Sequence, residues 1–348
     1  MVYGTLSVSD LLASTQQSVA QVGEQQVFQA IDDALRAHNA ITQDMLGTLV
    51  EISADRQRRY GGPDAMQMDE IDEYGTPDAQ KVTAGQTVAF PLRLYGLAVQ
   101  WTRKYFQNHT AAELAAQFVA AQDADVKAIQ REFKRAIFGP TNRTFTDRLI
   151  DNVDLAVKAF ANADGAPLPV GPTGDTFVGA THTHYLATAT LDAASLTALI
   201  DTVIEHHNIG MPVVYINKAQ EATVRGLTGF TAYLDARLLP ATTANQARGT
   251  LDQMNPQNRA IGLFGAAEIW VKPWMPATYL FAWVMGGPRP LVMRQRPNGG
   301  GLAVVADEEA HPLRARSIER EFGVGVWTRT NGAILFGGGA TYVAPTIG

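Results

Sequence analysis

The sequence predicts an α+β fold built from more than one unit. Three stretches carry that expectation: a long amphipathic helix with capping signals at both ends between Ala111 and Phe138, a helix–strand–helix alternation after residue 190, and a C-terminal third rich in alternating strands. At 348 residues the chain has room for two or more compact units. Apolar residues make up 46%, enough for a real core, whereas only 18% are charged against roughly 25% in soluble proteins. So low a charge content points to surface buried against partners.

Residues 8–43 read as helix-forming and polar, with Val27, Ile31, Leu35 and Ile41 as a thin apolar stripe. A stripe that narrow needs cover from elsewhere, and in an assembly a neighbouring subunit supplies it. Leu49, Val50 and Ile52 suggest a strand, followed by Arg56, Arg58 and Arg59, the Gly61-Gly62-Pro63 break, and an acidic tract with Asp64, Asp69, Glu70, Asp72 and Glu73. After Gly75 and Pro77 the alternation of Val88, Phe90, Leu92 and Leu94 returns the chain as a strand. This is a long two-stranded arm with a charged tip, and an isolated hairpin is marginal in water. The arm therefore needs a partner surface, where complementary charge steers association and fixes register.

Thr110 and Glu113 form a capping box, Leu114, Phe118, Val126, Ile129, Phe133 and Ile137 recur at helical spacing, and Gly139-Pro140 closes the helix. Its axis spans roughly 42 Å at ~1.5 Å per residue. Residues 141–190 read as strands and Gly/Pro-rich loops. Thr190 is the expected cap of a second helix whose apolar face holds Leu196, Leu199, Ile200, Val203 and Ile204. Gly210-Met211-Pro212 leads into the buried-strand run Val213–Ile216, and another helix starts near Lys218. Strands are expected at 268–272, 278–285, 291–295 and 302–305, then a long alternating one through Ile318, Arg320, Phe322, Val324 and Val326. Asn331-Gly332, a strong hairpin signal, turns it back through Ala333 to Tyr342.

Several functions are disfavoured. The formal net charge of −6 argues against a domain that reads nucleic acid, and without cysteine there is no disulfide, thiolate metal site or thiol nucleophile. The first twenty residues carry no signal-peptide pattern, and no run is long and apolar enough for a membrane span. Neither 171–174 nor 337–339 has the Lys-Ser/Thr ending of a phosphate loop, and no nucleophile elbow exists. His182 and His184, two apart on an expected strand, face the same way, and His206 and His207 end the second helix, with Asp192 or Glu205 as a carboxylate for a metal. The plainer account puts His207 on the helix's apolar face and a cationic His206 at its C-terminus. On that account no metal, no cofactor and no catalytic residue is expected.

The order of parts resembles the major capsid proteins of tailed double-stranded DNA phages, the Hong Kong 97 fold. The stretches that carry the likeness are 177–185 with the helix after Leu191 and Met211–Asn217, then Arg316–Val326 and Arg329–Ala333. The resemblance implies an N-terminal arm at 1–45, an extended loop at 46–100 lying on an adjacent subunit, a peripheral domain at 101–190 with spine helix 111–138, an α/β axial domain at 191–310, and C-terminal strands at 311–348 that return to the peripheral domain. It implies pentamers and hexamers of the chain forming an icosahedral shell, made in the host cytoplasm and ending in the virion, around double-stranded DNA held without sequence-specific contacts. A separate scaffolding protein is expected because the chain begins close to its arm, with a portal and decoration protein as further partners and no membrane. Arg56, Arg58, Arg59, Asp69, Glu70, Asp72, Glu73 and Lys81 are the expected inter-subunit residues. No asparagine partner for Lys81 is evident, so crosslinking is not expected. Two alternatives stay open: an encapsulin, a shell of the same fold around a protein cargo, and a metal-dependent hydrolase using His182, His184 and His207.

Overall fold

The computed structural model describes residues 6–46, 48–60, 68, 70–79, 86–233, 258–297 and 299–347. Ser7 and Ser18 each form a reciprocal cap with the residue three positions on, Asp10 and Gln21. They start helices α1 (Val8–Ala13) and α2 (Val19–Val22), and α3 (Glu24–Leu46) follows. Strands β1 (Val50–Ser53), β2 (Gln57–Tyr60), β3 (Gln86–Ala89) and β4 (Arg93–Thr102) lead through α4 (Arg103–Asn108) to the long helix α5 (Ala111–Phe138). The α5 capping box forms as expected, with the Glu113 N–H donating to Thr110 Oγ1 and the Thr110 N–H donating to the Glu113 carboxylate.

The thin stripe of α3 finds its cover within its own chain. Val27, Phe28, Ile31 and Leu35, with Leu11 and Val19, are buried against Trp101, Phe106, Leu114 and Phe118. Backbone bonds fix this docking: the Val19 N–H donates to the His109 carbonyl (3.2 Å) and the Ala111 N–H to the Gln17 carbonyl (3.0 Å). The side chain of Ile41 lies outside the described residues.

After the small hairpin β5 (Arg143–Thr146) and β6 (Asp154–Val157) come β7 (Tyr185–Ala187) and helix α6 (Ala193–Ile204). The cap of α6 is Asp192, two residues later than the sequence suggests. Its carboxylate accepts from the Ser195 N–H at 2.8 Å, while Thr190 lies outside the helix and its carbonyl accepts from Thr188. Strand β8 (Met211–Ile216), a 3-10 turn at Lys218–Gln220 and α7 (Glu221–Arg225) continue the α/β unit. The remainder is β9 (Phe230–Ala232), β10 (Arg259–Phe264), β11 (Ala267–Val271), β12 (Tyr279–Met285), β13 (Leu291–Arg294), β14 (Ala303–Ala310), β15 (Leu313–Val326) and β16 (Ala333–Phe336).

Two sheets organise these strands. A seven-stranded mixed sheet runs β7-β16-β12-β8-β11-β10-β9, and both of its faces are covered. Val214, Ile216, Leu280, Ala282 and Val284 meet Leu196, Leu199, Ile200 and Val203 of α6. The alternate residues Val213, Tyr215, Tyr279, Phe281 and Trp283 meet Ile129, Phe133 and Ile137 of α5. Burial on both faces explains why β8 and β12 read as unbroken apolar runs. At about 1.5–3 kcal/mol per fully buried large apolar side chain, this double layer dominates the stabilising side of the fold. The second sheet is organised on β15, which pairs antiparallel with β14, β4 and β13, and β1 adds in parallel to β13.

Among the described residues of 46–100, β2 and β3 share a four-residue ladder, β1 joins β13, and β4 belongs to the sheet of β15. One expectation fails: the last strands form no hairpin. β15 sits in one sheet and β16 in the other, between β7 and β12. Asn331 is fully buried between them, its amide donating to the carbonyls of Val284 (3.1 Å) and Pro288 (2.6 Å) and accepting from the Val284 N–H (2.8 Å). The Asn-Gly pair that looks like an exposed turn is a buried pin between sheets. A long hairpin does exist one strand earlier, where β14 and β15 turn through His311-Pro312.

Candidate inter-subunit surface and histidine cluster

The residues expected to touch a neighbour lie on and just before β2 and in the segment between β2 and β3, and they divide into two groups. Near the base, Arg56 grips Asp151 through two bonds of 2.6 and 2.7 Å and lies 3.3 Å from buried Asp147. Arg58 pairs with Glu51 (2.7 Å) and Asp55 (2.6 Å), and its guanidinium lies over Trp327 at 5.4 Å. These charge-assisted bonds hold the carboxyls of Asp55 and Asp151 below their ordinary range. Both arginines thus also pair within their own chain, with 28% and 22% of their side chains left exposed. Arg59, next along β2, is exposed.

Toward the tip, Glu70, Asp72 and Glu73 are exposed. Asp72 also shapes the backbone: its carboxylate accepts from the Tyr74 N–H (3.0 Å) and its carbonyl from the Gly75 N–H (3.1 Å). Asp69 and Lys81 lie outside the described residues. Sequence reasoning recorded the charges of this stretch and passed over its apolar residues. Met68 is wholly exposed, Tyr74 is 91% exposed and Ile71 is 50% exposed. Their spacing of three among acidic residues was the available signal.

The histidines are brought together. His182 and His184 precede β7, and Glu205 and His206 lie in the turn that ends α6. His182 Nε2 is 3.0 Å from His184 Nε2 and 3.0 Å from His206 Nε2, and 3.5 Å from Glu205 Oε1. The His184 ring is fully buried, and its Nδ1–H donates to the Gly332 carbonyl at 2.8 Å. Phe177 packs on His206 and His182, with ring centroids 4.0 and 4.9 Å apart. Burial drives the basicity of all these rings down: His206 falls to about 3, and His184 well below the ordinary value. His206 is therefore a buried neutral imidazole, contrary to the expected cationic cap. His207 turns away to Thr330 Oγ1 (3.1 Å), so the trio that the hydrolase alternative requires does not converge. Burial, with Asp201 and Asp175 nearby, pushes the Glu205 carboxyl up.

Other buried charges fasten the elements to one another. Arg320 of β15 meets Asp125 of α5 at 2.7 Å, Arg294 of β13 meets Asp147 at 2.9 Å, and Tyr95 of β4 donates to Glu132 of α5 at 2.6 Å. Burial and the Glu132 carboxylate push the Tyr95 phenol up to about 12. Among the described residues no helix is long and apolar enough to cross a membrane.

No protein-family model matches the sequence, and no curated protein matches it. Solved structures do. Over 99% of its length the chain is similar to a chain from Mycobacterium phage Patience, 96% of which is covered, at 20% identity and a TM-score of 0.66. It is also similar to the asymmetric unit of the mature capsid of bacteriophage PhiM1, at 10% identity and a TM-score of 0.49, with 83% of this chain and 85% of that one covered. A chain of the holo-SrpI encapsulin complex from Synechococcus elongatus gives 12% identity and a TM-score of 0.44, with 84% and 86% covered. A spine helix laid across a doubly covered mixed sheet and a β15-centred second sheet, matching the Patience chain over nearly its whole length, are the Hong Kong 97 fold.

Proposed function

We propose that this chain is the major capsid protein of a tailed double-stranded DNA phage, a structural subunit and not an enzyme. One observation carries the reading: the whole chain, from N-terminal helices to last strand, follows the Patience chain, with nothing large left over on either side. The exposed apolar tip supports it. A lone protein gains nothing from leaving Met68, Ile71 and Tyr74 in water, whereas a subunit buries such residues on a neighbour.

In this reading residues 1–45 are the N-terminal arm, 46–100 the extended loop, 101–190 the peripheral domain, 191–310 the axial domain, and 311–348 the returning strands. Pentamers and hexamers of the chain form an icosahedral shell in the virion after synthesis in the host cytoplasm. A scaffolding protein, a portal and a decoration protein are the further partners, and the packaged DNA is contained without sequence-specific contacts. Arg56, Arg58, Arg59, Asp69, Glu70, Asp72, Glu73 and Lys81 line the contact with the adjacent subunit, alongside Met68, Ile71 and Tyr74.

The test is negative-stain electron microscopy of the purified chain beside a variant lacking residues 61–85, each with and without the candidate scaffold. Shells or capsomers from the full chain, absent in the variant, are the expected result. A monomer indifferent to the deletion under both conditions overturns the proposal. Shells that carry a protein cargo and no DNA when isolated from the native host assign the encapsulin alternative.

A further inference from the structure

We propose that His182 Nε2, His184 Nε2, His206 Nε2 and Glu205 Oε1 bind one Zn²⁺ ion as a closed structural site that clips the 158–184 segment to the end of α6. This proposal is independent of the capsid reading, and it departs from the expectation of no metal drawn from the sequence.

Geometry comes first. One donor atom from each of the four residues lies within 4.8 Å of all the others. Four of the separations are 3.0, 3.0, 3.5 and 3.9 Å. A tetrahedral zinc site with ligand bonds of about 2.0–2.1 Å requires ligand–ligand edges of about 3.3 Å. The observed spread brackets that edge, so small side-chain rotations complete the site. The donor set, imidazole nitrogens with one carboxylate and no thiolate, suits zinc, and a compact tetrahedral arrangement does not suit the tetragonal preference of Cu²⁺.

Hydrogen bonding alone does not account for the cluster. His184 spends its Nδ1 proton on the Gly332 carbonyl, so the neutral ring presents a bare Nε2. His182 Nε2 can then donate to His184, but the same atom also lies 3.0 Å from His206 Nε2. One proton cannot serve both contacts fully. A proton on His206 Nε2 would point at the first, and a proton on His206 Nδ1 sits on a buried atom with no partner. A cation at the centre uses all three Nε2 lone pairs at once.

The surroundings agree. The bond from His184 to a backbone carbonyl is the usual outer-shell device that sets the tautomer and orientation of a ligating histidine. Phe177 covers the cluster, while the His182 and Glu205 side chains, 17% and 37% exposed, leave an entry path. Four protein ligands leave no open position for a substrate or water, so the site is structural and not hydrolytic.

The experiment uses the full chain, stripped with a chelator and desalted. Zinc is added back, excess is removed, and metal per chain is measured by inductively coupled plasma mass spectrometry. Co²⁺ is loaded in parallel to read the intense visible bands of a tetrahedral site. Expected are one zinc per chain, tetrahedral Co²⁺ bands, and a thermal midpoint raised by zinc. His182→Ala and Glu205→Gln, at the exposed side of the cluster, should bind about 100-fold more weakly and lose the zinc-induced shift. Circular dichroism matching wild type shows that these variants fold. Failure of the folded wild-type chain to retain zinc or to shift with it overturns the proposal. Equal zinc binding by both variants overturns it too, because the ion then sits elsewhere.

Discussion

Removing the Asp125 carboxylate should destabilise this fold more than most single changes. Asp125 lies mid-way along α5 and Arg320 mid-way along β15, and their side chains are 2% and 1% exposed. The Asp125 Oδ2 atom receives Arg320 Nη1 at 2.7 Å and His38 Nε2 at 2.9 Å, so one oxygen ties the N-terminal helices, the spine helix and the central strand. Arg320 Nε and Nη2 already lack hydrogen-bond partners, so in Asp125→Ala the buried guanidinium has none. Breaking a buried pair in this way costs about 3–5 kcal/mol, because a charge is left without compensation. Replacing both partners, Asp125→Leu with Arg320→Met, removes the orphan and should cost less than either single change. Urea unfolding of the unassembled chain, followed by tryptophan fluorescence, reads the difference, and the single variant's midpoint should fall by roughly 1–2 M. In the double-mutant cycle, with Asp125→Leu and Arg320→Met as the single changes, the two single costs should together exceed the double by about 3–5 kcal/mol. A single-variant cost under about 1 kcal/mol, or strict additivity, would refute the idea that this pair holds helix to strand.

Glu221 offers a pH test. Burial pushes its carboxyl up, and Lys218, Arg225 and Arg259 more than offset this, holding it at about 2. A folded value below the unfolded one gives stability that is present above pH 4.5 and lost as pH falls toward 2. With Lys218 57% and Arg225 37% exposed, screening reduces the effect. Glu221→Gln should therefore cost about 1–2 kcal/mol at pH 7, and the gap from wild type should narrow below pH 4.5 in urea titrations. Asn331→Ala strands the Val284 N–H and two carbonyls in the core, and calorimetry should show a loss of about 2–4 kcal/mol. Changing Met68, Ile71 and Tyr74 together to Ser should leave the unassembled chain within about 0.5 kcal/mol of wild type. The same variant should fail to form capsomers in size-exclusion chromatography.

The elements that could be read from sequence are those whose signals are local. α5 is written in a capping box, a helical repeat and a closing Gly-Pro. β8 and β12 are written in apolar runs that only a strand covered on both faces explains. What escaped depends on distant partners. The β15–β16 turn obeys every short-range hairpin rule, yet Asn331 is bound by Val284 and Pro288, more than forty residues away, and the two strands separate. The α6 cap lies two residues past Thr190 because Thr190 and Asp192 are both capping residue types, and it is Asp192 that exchanges bonds with Ser195. The helical projection that puts His207 on the apolar face runs past Ile204, where the helix ends. In the turn that follows, His206 goes inward and His207 goes to Thr330. At the tip, charge drew notice away from Met68, Ile71 and Tyr74, since exposure cannot be read from a residue's own identity.

The short connection from Trp327 to Gly332 ties the two sheets to their neighbours through side chains and carbonyls. Arg329 is fully buried, donating to the Ala159 carbonyl at 2.8 Å and pairing with Asp164 at 3.1 Å. The Thr330 hydroxyl lies within hydrogen-bond distance of both Tyr60 at the loop base (3.3 Å) and His207 beyond α6 (3.1 Å). Asn331 holds β12, and the Gly332 carbonyl holds His184. Rotating one sheet against the other would break these bonds together, in an interior where each unpaired group costs about 1–3 kcal/mol. The described tip, by contrast, carries local turn bonds around Asp72 and an exposed apolar set. In the proposed shell reading this exposed set is what meets a neighbour, while the doubly covered sheet and spine helix form the cross-braced frame. The proposed zinc clip lies on the rigid side of that division, where a structural ion adds to a frame already cross-braced.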